Sequence, residues 1–238
     1  MTIKAVVFDA YGTLFDVYSI GELAERLYPN NGAAISLLWR DKQIEYTRLI
    51  TMSDPHGPSG SKHYQSFWEL TRRSLQYALE RFKLDPAPEK IEALMGQYAR
   101  LSAFPENLGV LKALKVKGIQ TAILSNGSPD MLGSAVASAG MDGLLDHVIS
   151  VDSLRLFKTS PESYDLVSRH IPAARNEILF VSSNCWDALG ATWFGFTTLW
   201  INRQGLPCET IGPPPDHTGN DLRQVLVVLD NQLSPTGA

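Results

Sequence analysis

Ala5-Val6-Val7-Phe8-Asp9-Ala10-Tyr11-Gly12-Thr13-Leu14 carries the reading of the whole chain. Its first four residues form a short continuous apolar run, the pattern of a strand buried on both faces. The run ends on a carboxylate, with Gly12 and Thr13 close behind. Such an aspartate either caps the next segment or projects into a crevice beyond the strand. Capping is the ordinary role for an isolated aspartate, so the residues at the ends of the other strands decide between the two.

Thr121–Leu124, His147–Ser150, Ile178–Val181 and Thr198–Ile201 have the same apolar character. Helical segments lie between them. Leu108–Lys117 has apolar residues at helical spacing and stops at Gly118, and Pro129–Ala139 comes after the turn-forming Asn126-Gly127-Ser128 and stops at Gly140. Pro161–His170 reads as a third helix, with Ser160 as its N-cap and Pro161 in its first turn. Alternating strands and helices predict a parallel α/β sheet, whose ligands sit beyond the C-terminal strand ends. At that edge Ser125-Asn126-Gly127 comes directly after Leu124. Asp152 and then Lys158 come after the third run, and Ser182-Ser183-Asn184 with Asp187 after the fourth. A carboxylate, hydroxyl and amide donors, a lysine and a second carboxylate share one edge. That grouping favours a site at Asp9 over a cap.

From Tyr18 to Arg100 the alternation lapses. Ala33–Ile50, Tyr64–Phe82 and Glu89–Leu101 are helical in pattern with no buried strand among them, and 53–61, rich in Gly, Pro and Ser, reads as an exposed loop. The expected organisation is a sheet-bearing core of 1–17 and 101–238, with an all-helical cap of 18–100 inserted after the first strand. An insert there sits over the strand ends, where a lid belongs. Pro213-Pro214-Pro215 reads as surface loop and Ser234–Ala238 as tail.

Bulk composition agrees with this and closes off other classes. A chain of 238 residues that is 44% hydrophobic and 19% charged suits a globular enzyme with a substantial core. Its net charge of −4 argues against nucleic acid as a partner. Two cysteines, Cys185 and Cys208, are too few for a disulfide framework or a cysteine-based zinc centre, and they fit a reducing cytoplasm. Met1 to Phe8 lacks the features of a signal peptide. No run reaches the roughly 18 apolar residues of a membrane span. The expectation is a cytoplasmic protein with neither a membrane nor a nucleic-acid partner.

Five segments in order resemble the haloacid dehalogenase superfamily and, within it, the L-2-haloacid dehalogenases. They are Phe8–Leu14, Trp39-Arg40-Asp41-Lys42-Gln43-Ile44-Glu45-Tyr46, Ile123–Ser128, Lys158 with Tyr164, and Phe180-Val181-Ser182-Ser183-Asn184-Cys185-Trp186-Asp187. The resemblance spans nearly the whole chain and implies a Rossmann-like core with a helical cap. A phosphatase of this superfamily carries a second aspartate two residues after the nucleophile, as general acid, where this chain has Tyr11. An ordinary phenol, with a pKa near 10, is poorly tuned to that task at neutral pH. Phosphatases also hold Mg²⁺ with an acidic cluster after the fourth strand, where this chain has Ser182-Ser183-Asn184. Mg²⁺ favours carboxylate oxygens and water, so no metal and no other cofactor is expected. A halide leaves without needing a proton, so both departures fit attack at carbon.

The resemblance therefore implies hydrolytic conversion of (S)-2-haloacids to (R)-2-hydroxyacids plus halide, with a small 2-haloalkanoate and water as the only partners. Asp9 is the implied nucleophile, forming an ester that water later cleaves. Lys158 accompanies its charge, and Tyr164 belongs to the same motif. Thr13 hydrogen-bonds within the site, Arg40 assists the substrate carboxylate or the departing halide, and Ser125 and Asn126 bind the carboxylate with backbone amides near Ala10 and Tyr11. Asn184 and Asp187 position or activate the hydrolytic water, with Ser182 orienting a neighbour. Tyr11, Ile44 and Trp186 form an apolar wall. Phe67 fits core packing better than that wall, and Cys185 reads as a bystander. Asp41 stands where many relatives have glutamine, and Thr159 where they have proline. Relatives are often dimers, which makes a homodimer the expected assembly. Two alternatives stay open: a phosphatase-like member of the superfamily, and a non-catalytic binding protein on the same fold.

Overall fold

The computed structural model describes residues 2–57 and 59–233; Met1, Pro58 and the expected tail Ser234–Ala238 lie outside them. Six strands form one sheet: β1 Ala5–Phe8, β2 Gln120–Ser125, β3 His147–Ser150, β4 Ile178–Ser182, β5 Thr197–Ile201 and β6 His217–Gly219. Their order is β3-β2-β1-β4-β5-β6, and all pairs are parallel. Every residue of β1 and β4 is buried, because helices cover both faces of such a sheet. The chain winds outward from β1 to β3, then returns to the other side of β1 for β4. A crevice opens at that reversal, beyond the carboxyl ends of β1 and β4. Phe8 stands level with Ile123 of β2 and Val181 of β4, so the residues just past all three strands emerge together at this point.

Five helices come between β1 and β2, and the first four form a group: α1 Ser19–Leu27, α2 Gly32–Ser53, α3 Phe67–Arg81 and α4 Pro88–Tyr98. They pack on one another, α1 against α2 and α4, and α3 against α2 and α4. The Trp39 indole N–H donates to Thr71 O at 2.7 Å, pinning α2 to α3. The helix expected over Tyr64–Phe82 starts three residues late, at Phe67, because Ser66 Oγ accepts from Glu69 N and caps it there. The remaining helices, α5 Asn107–Val116, α6 Pro129–Ser138, α7 Pro161–Asp165, α8 Cys185–Phe194 and α9 Gln224–Leu233, belong to the sheet.

Pro161–His170 is not one helix. α7 covers five residues and gives way to a 3-10 turn over Leu166–Arg169. Ser160 holds the N-cap position without capping; its hydroxyl donates to Glu162 Oε2 at 2.8 Å. An uncapped start with Pro172 close behind leaves little to sustain the α form. Among the described residues no helix is long and apolar enough to cross a membrane.

Candidate active site

Asp9 leaves β1 with its backbone N–H donated to Val181 O, 2.9 Å away, so β4 fixes where its side chain points. Both carboxylate oxygens are engaged. Oδ1 accepts from Lys158 Nζ at 3.1 Å; Oδ2 accepts from Thr13 Oγ1 at 3.1 Å and from Asn184 Nδ2 at 2.8 Å. The turn after β1 also ties to the one after β4, because Thr13 Oγ1 accepts from Ser183 N at 2.8 Å. Ser182 Oγ accepts from Asn184 N at 3.1 Å, so Ser182 shapes the turn that presents Asn184.

Lys158 is buried to 1% exposure with its ammonium between two carboxylates, 3.1 Å from Asp9 and 2.9 Å from Asp187 Oδ2. The Tyr164 hydroxyl donates to Asp187 Oδ1 at 2.8 Å. Burial works against the Lys158 charge, but the two carboxylates outweigh it and hold the ammonium above its ordinary range. The carboxylates share one cation, so Asp187 does not gain enough from it. Burial pushes Asp187 up to about 6, with Lys158 pulling it back and Asp9 adding to the rise. The Lys158–Thr159 peptide bond is cis.

Arg40 arrives from α2. Its Nη2 donates to Asn184 Oδ1 at 3.1 Å and its Nη1 to Gln43 Oε1 at 2.6 Å. The amide of Asn184 therefore links the guanidinium to the Asp9 carboxylate. A cavity of about 970 Å³ opens beside this link, with Tyr11, Arg40, Asp41, Ile44, Asn184 and Trp186 on its wall. Asp41 is exposed on that wall, so an acidic group faces the cavity. Asp9, Ser125 and Asn126 do not line the cavity. Ser125 Oγ accepts from Gly127 N at 3.1 Å, and Asn126 Oδ1 accepts from Lys158 N at 3.0 Å. Both residues lie buried behind Tyr11, whose ring closely approaches Gly127. Phe67, 1% exposed, packs between the rings of Tyr11 and Phe157 and is a core residue.

The profile of haloacid dehalogenase-like hydrolases matches residues 3–195. The chain belongs to that family. A solved L-2-haloacid dehalogenase is 53% identical, superposes with a TM-score of 0.93, and is covered over 97% of this chain and 100% of its own. The (S)-2-haloacid dehalogenase of Xanthobacter autotrophicus is 43% identical over 201 residues, 84% of this chain and 76% of its own length. An L-2-haloacid dehalogenase from the same organism, solved with chloropropionic acid covalently bound, is 36% identical. It has a TM-score of 0.85, with 96% of this chain and 99% of the other covered.

Within this family the residues around Asp9 do not fit a Mg²⁺ site. The Asp9 oxygens are held by an ammonium, a hydroxyl and an amide, and the turn after β4 offers Ser182, Ser183 and Asn184 in place of carboxylates. Tyr11 is no substitute acid. Burial first, then Tyr98 and Asp9, raise its phenol well above the ordinary value.

Three further residues that build the site have no role in the sequence reading. Asn107, at the start of α5, donates Nδ2 to Thr13 O at 3.2 Å and to Leu14 O at 2.9 Å. Arg203, beyond β5, pairs with Glu106 at 2.7 Å and donates Nη2 to Thr13 O at 3.3 Å. Gln43, beyond holding Arg40, donates to Thr71 Oγ1 at 2.6 Å and to Tyr98 OH at 3.1 Å. Of the three, Gln43 alone had a local signal, since a glutamine on a helix face three residues from an arginine is within its reach.

Proposed function

We propose that this haloacid dehalogenase-like hydrolase converts (S)-2-haloacids to (R)-2-hydroxyacids and halide. The observation that carries this reading is the Asp9 carboxylate, held by Lys158, Thr13 and Asn184, with Tyr11 where a phosphatase needs its acid. In the first step a carboxylate oxygen of Asp9 attacks C2 from the side opposite the halogen. The carbon–oxygen bond forms as the carbon–halogen bond breaks; C2 inverts, and the halide leaves with the bonding electrons. No proton is needed, which suits a site with no acid at position 11. Arg40 meets the departing charge, and its contact with Asn184 places it over the nucleophile.

The substrate carboxylate is held by the Ser125 hydroxyl, the Asn126 side-chain N–H and the backbone amides of Ala10 and Tyr11. Its alkyl part faces Tyr11, Ile44 and Trp186. In the second step water attacks the ester carbon of Asp9, and the oxyanion that develops is held by the donors already serving the carboxylate. Asp187 takes the proton from that water, positioned by Tyr164 and Lys158. Asp187 returns that proton to the departing alkoxide as the bond between the Asp9 carbonyl carbon and the ester oxygen breaks. The other proton of the water passes to solvent, and the hydroxyacid leaves with the carboxylate restored and C2 untouched.

The reaction needs no metal in this reading. Helices of 18–100 act as the cap over a core of 1–17 and 101–238, supported by Arg40 entering the site from α2. The two free cysteines support a reducing cytoplasm, and a homodimer is the expected assembly. Halide release from L- and D-2-chloropropionate, with and without EDTA, tests the function. Release from the L form alone, unchanged by EDTA and abolished by Asp9→Asn, is expected. Failure of the wild type on both enantiomers, or loss of activity in EDTA, refutes it. A single turnover in ¹⁸O-water should place the label on Asp9; label only in the product would mean direct attack by water.

A further inference from the structure

Cys185 opens α8 directly after Asn184, and its Sγ lies 2.9 Å from Sγ of Cys208, on the loop beyond β5. Both are free thiols, 23 positions apart in the chain, so the fold alone joins them. Two cysteines alone are too few for a metal centre, but the fold brings Glu209 to them as a third ligand, and the three ligand atoms lie within 4.8 Å of one another. Among the described residues no other three His, Cys, Asp or Glu side chains gather in this way. Neutral thiols gain little from each other, since S–H is a weak donor and sulfur a weak acceptor. A sulfur-seeking cation gains much more: thiolates select soft and borderline ions, and zinc–sulfur bonds are about 2.3 Å long.

We propose that Cys185, Cys208 and Glu209 bind a thiophilic divalent cation of the Zn²⁺ or Cd²⁺ kind at the rim of the active-site cavity. Cys185 and Glu209 both line that cavity, so water from it completes the coordination. Binding replaces two S–H bonds by two metal–sulfur bonds and releases two protons, with no change of oxidation state. Because the ion displaces the thiol protons, the affinity rises with pH. The bound ion ties the loop at 208–209 to the first turn of α8. Asn184, whose amide holds Asp9 and Arg40, is the very next residue back. The consequence is inhibition: an ion here stiffens the mouth of the cavity without touching the reacting atoms.

Titration of the reduced, metal-stripped protein with Cd²⁺ tests this through the ultraviolet thiolate-to-cadmium band. Saturation at one equivalent with two protons released is expected, and the band should be lost in Cys208→Ser. Halide release by the wild type should fall on Cd²⁺ addition. Cys208→Ser should work normally without Cd²⁺ and resist it. The proposal is overturned by the absence of a saturable band, by an unchanged band in Cys208→Ser, or by finding the two cysteines joined in a disulfide in the reduced preparation. None of these results bears on the role of Asp9, because the readout is metal binding.

Discussion

One buried ammonium between two carboxylates sets the chemistry at the residue scale. Asp9, Lys158 and Asp187 together carry one negative charge when all are ionised, and burial pushes Asp187 up to about 6. As the base for ester hydrolysis it works only when ionised, so kcat should climb as pH rises through about 6. A flat kcat across that range would remove Asp187 from the proton transfer. Asp187→Asn should slow ester hydrolysis about 10²–10⁴-fold while leaving a burst of halide, with the ester seen on the intact protein by mass spectrometry. Stability has the opposite sign. Because the fold raises Asp187 from its ordinary 3.8, this residue's contribution is complete below that value and is lost as pH rises through about 6. Lys158→Met leaves two buried carboxylates without their cation, which should cost about 3–5 kcal/mol near neutral pH. Urea denaturation checks it, and the loss must shrink on acidification; a loss independent of pH would point to packing instead.

At the element scale, two distant pieces of chain fix the turn that carries Thr13. Asn107 on α5 and Arg203 beyond β5 both donate to the Thr13 carbonyl, and the Thr13 hydroxyl in turn meets Asp9. Asn107→Leu removes a donor from the Leu14 carbonyl and leaves the Thr13 carbonyl with Arg203 alone, at about 1–3 kcal/mol of stability. A small shift of Thr13 should lower kcat by up to about 100-fold, with KM little changed. Steady-state kinetics decide it: a rise in KM alone would assign Asn107 to substrate binding. This layer was illegible in the sequence because Asn107 and Arg203 lie 94 and 190 positions from Thr13, with nothing local to mark them. By contrast β1 to β5 were legible to within a residue, because strands buried on both faces are written as apolar runs. β6 was not: His217-Thr218-Gly219 is a short, polar edge strand whose apolar content gives it no signature. The residues touching Asp9 were found because each sits just past a strand or belongs to a motif, whereas the helix α8 behind them, with Cys185, Ala188, Leu189, Gly190 and Ala191 all buried, shows no clean polar face.

Across the whole molecule, the helices of 18–100 meet the core in two different ways. On one side, Ser61 N donates to Arg155 O at 3.1 Å and Phe157 N to Thr51 Oγ1 at 3.0 Å, while Tyr64 bonds Asp152 and stacks on Phe157. On the other side, Arg40 to Asn184 is a direct link beside the large cavity, which separates α2 from the loop at 204–209. The first side is a backbone-anchored seam and the second is a side-chain contact at a mouth. Entry of substrate therefore favours pivoting about the seam and parting at Arg40. Hydrogen exchange on Asp9→Asn, with and without L-2-chloropropionate, separates this from a rigid molecule. Ligand should slow exchange in α2 around Arg40 and in 204–209, and leave 151–157 unchanged, since the seam keeps its bonds in both states. Equal protection at the seam and the mouth would mean that the helices lift away as a body, and the pivot would have to be abandoned.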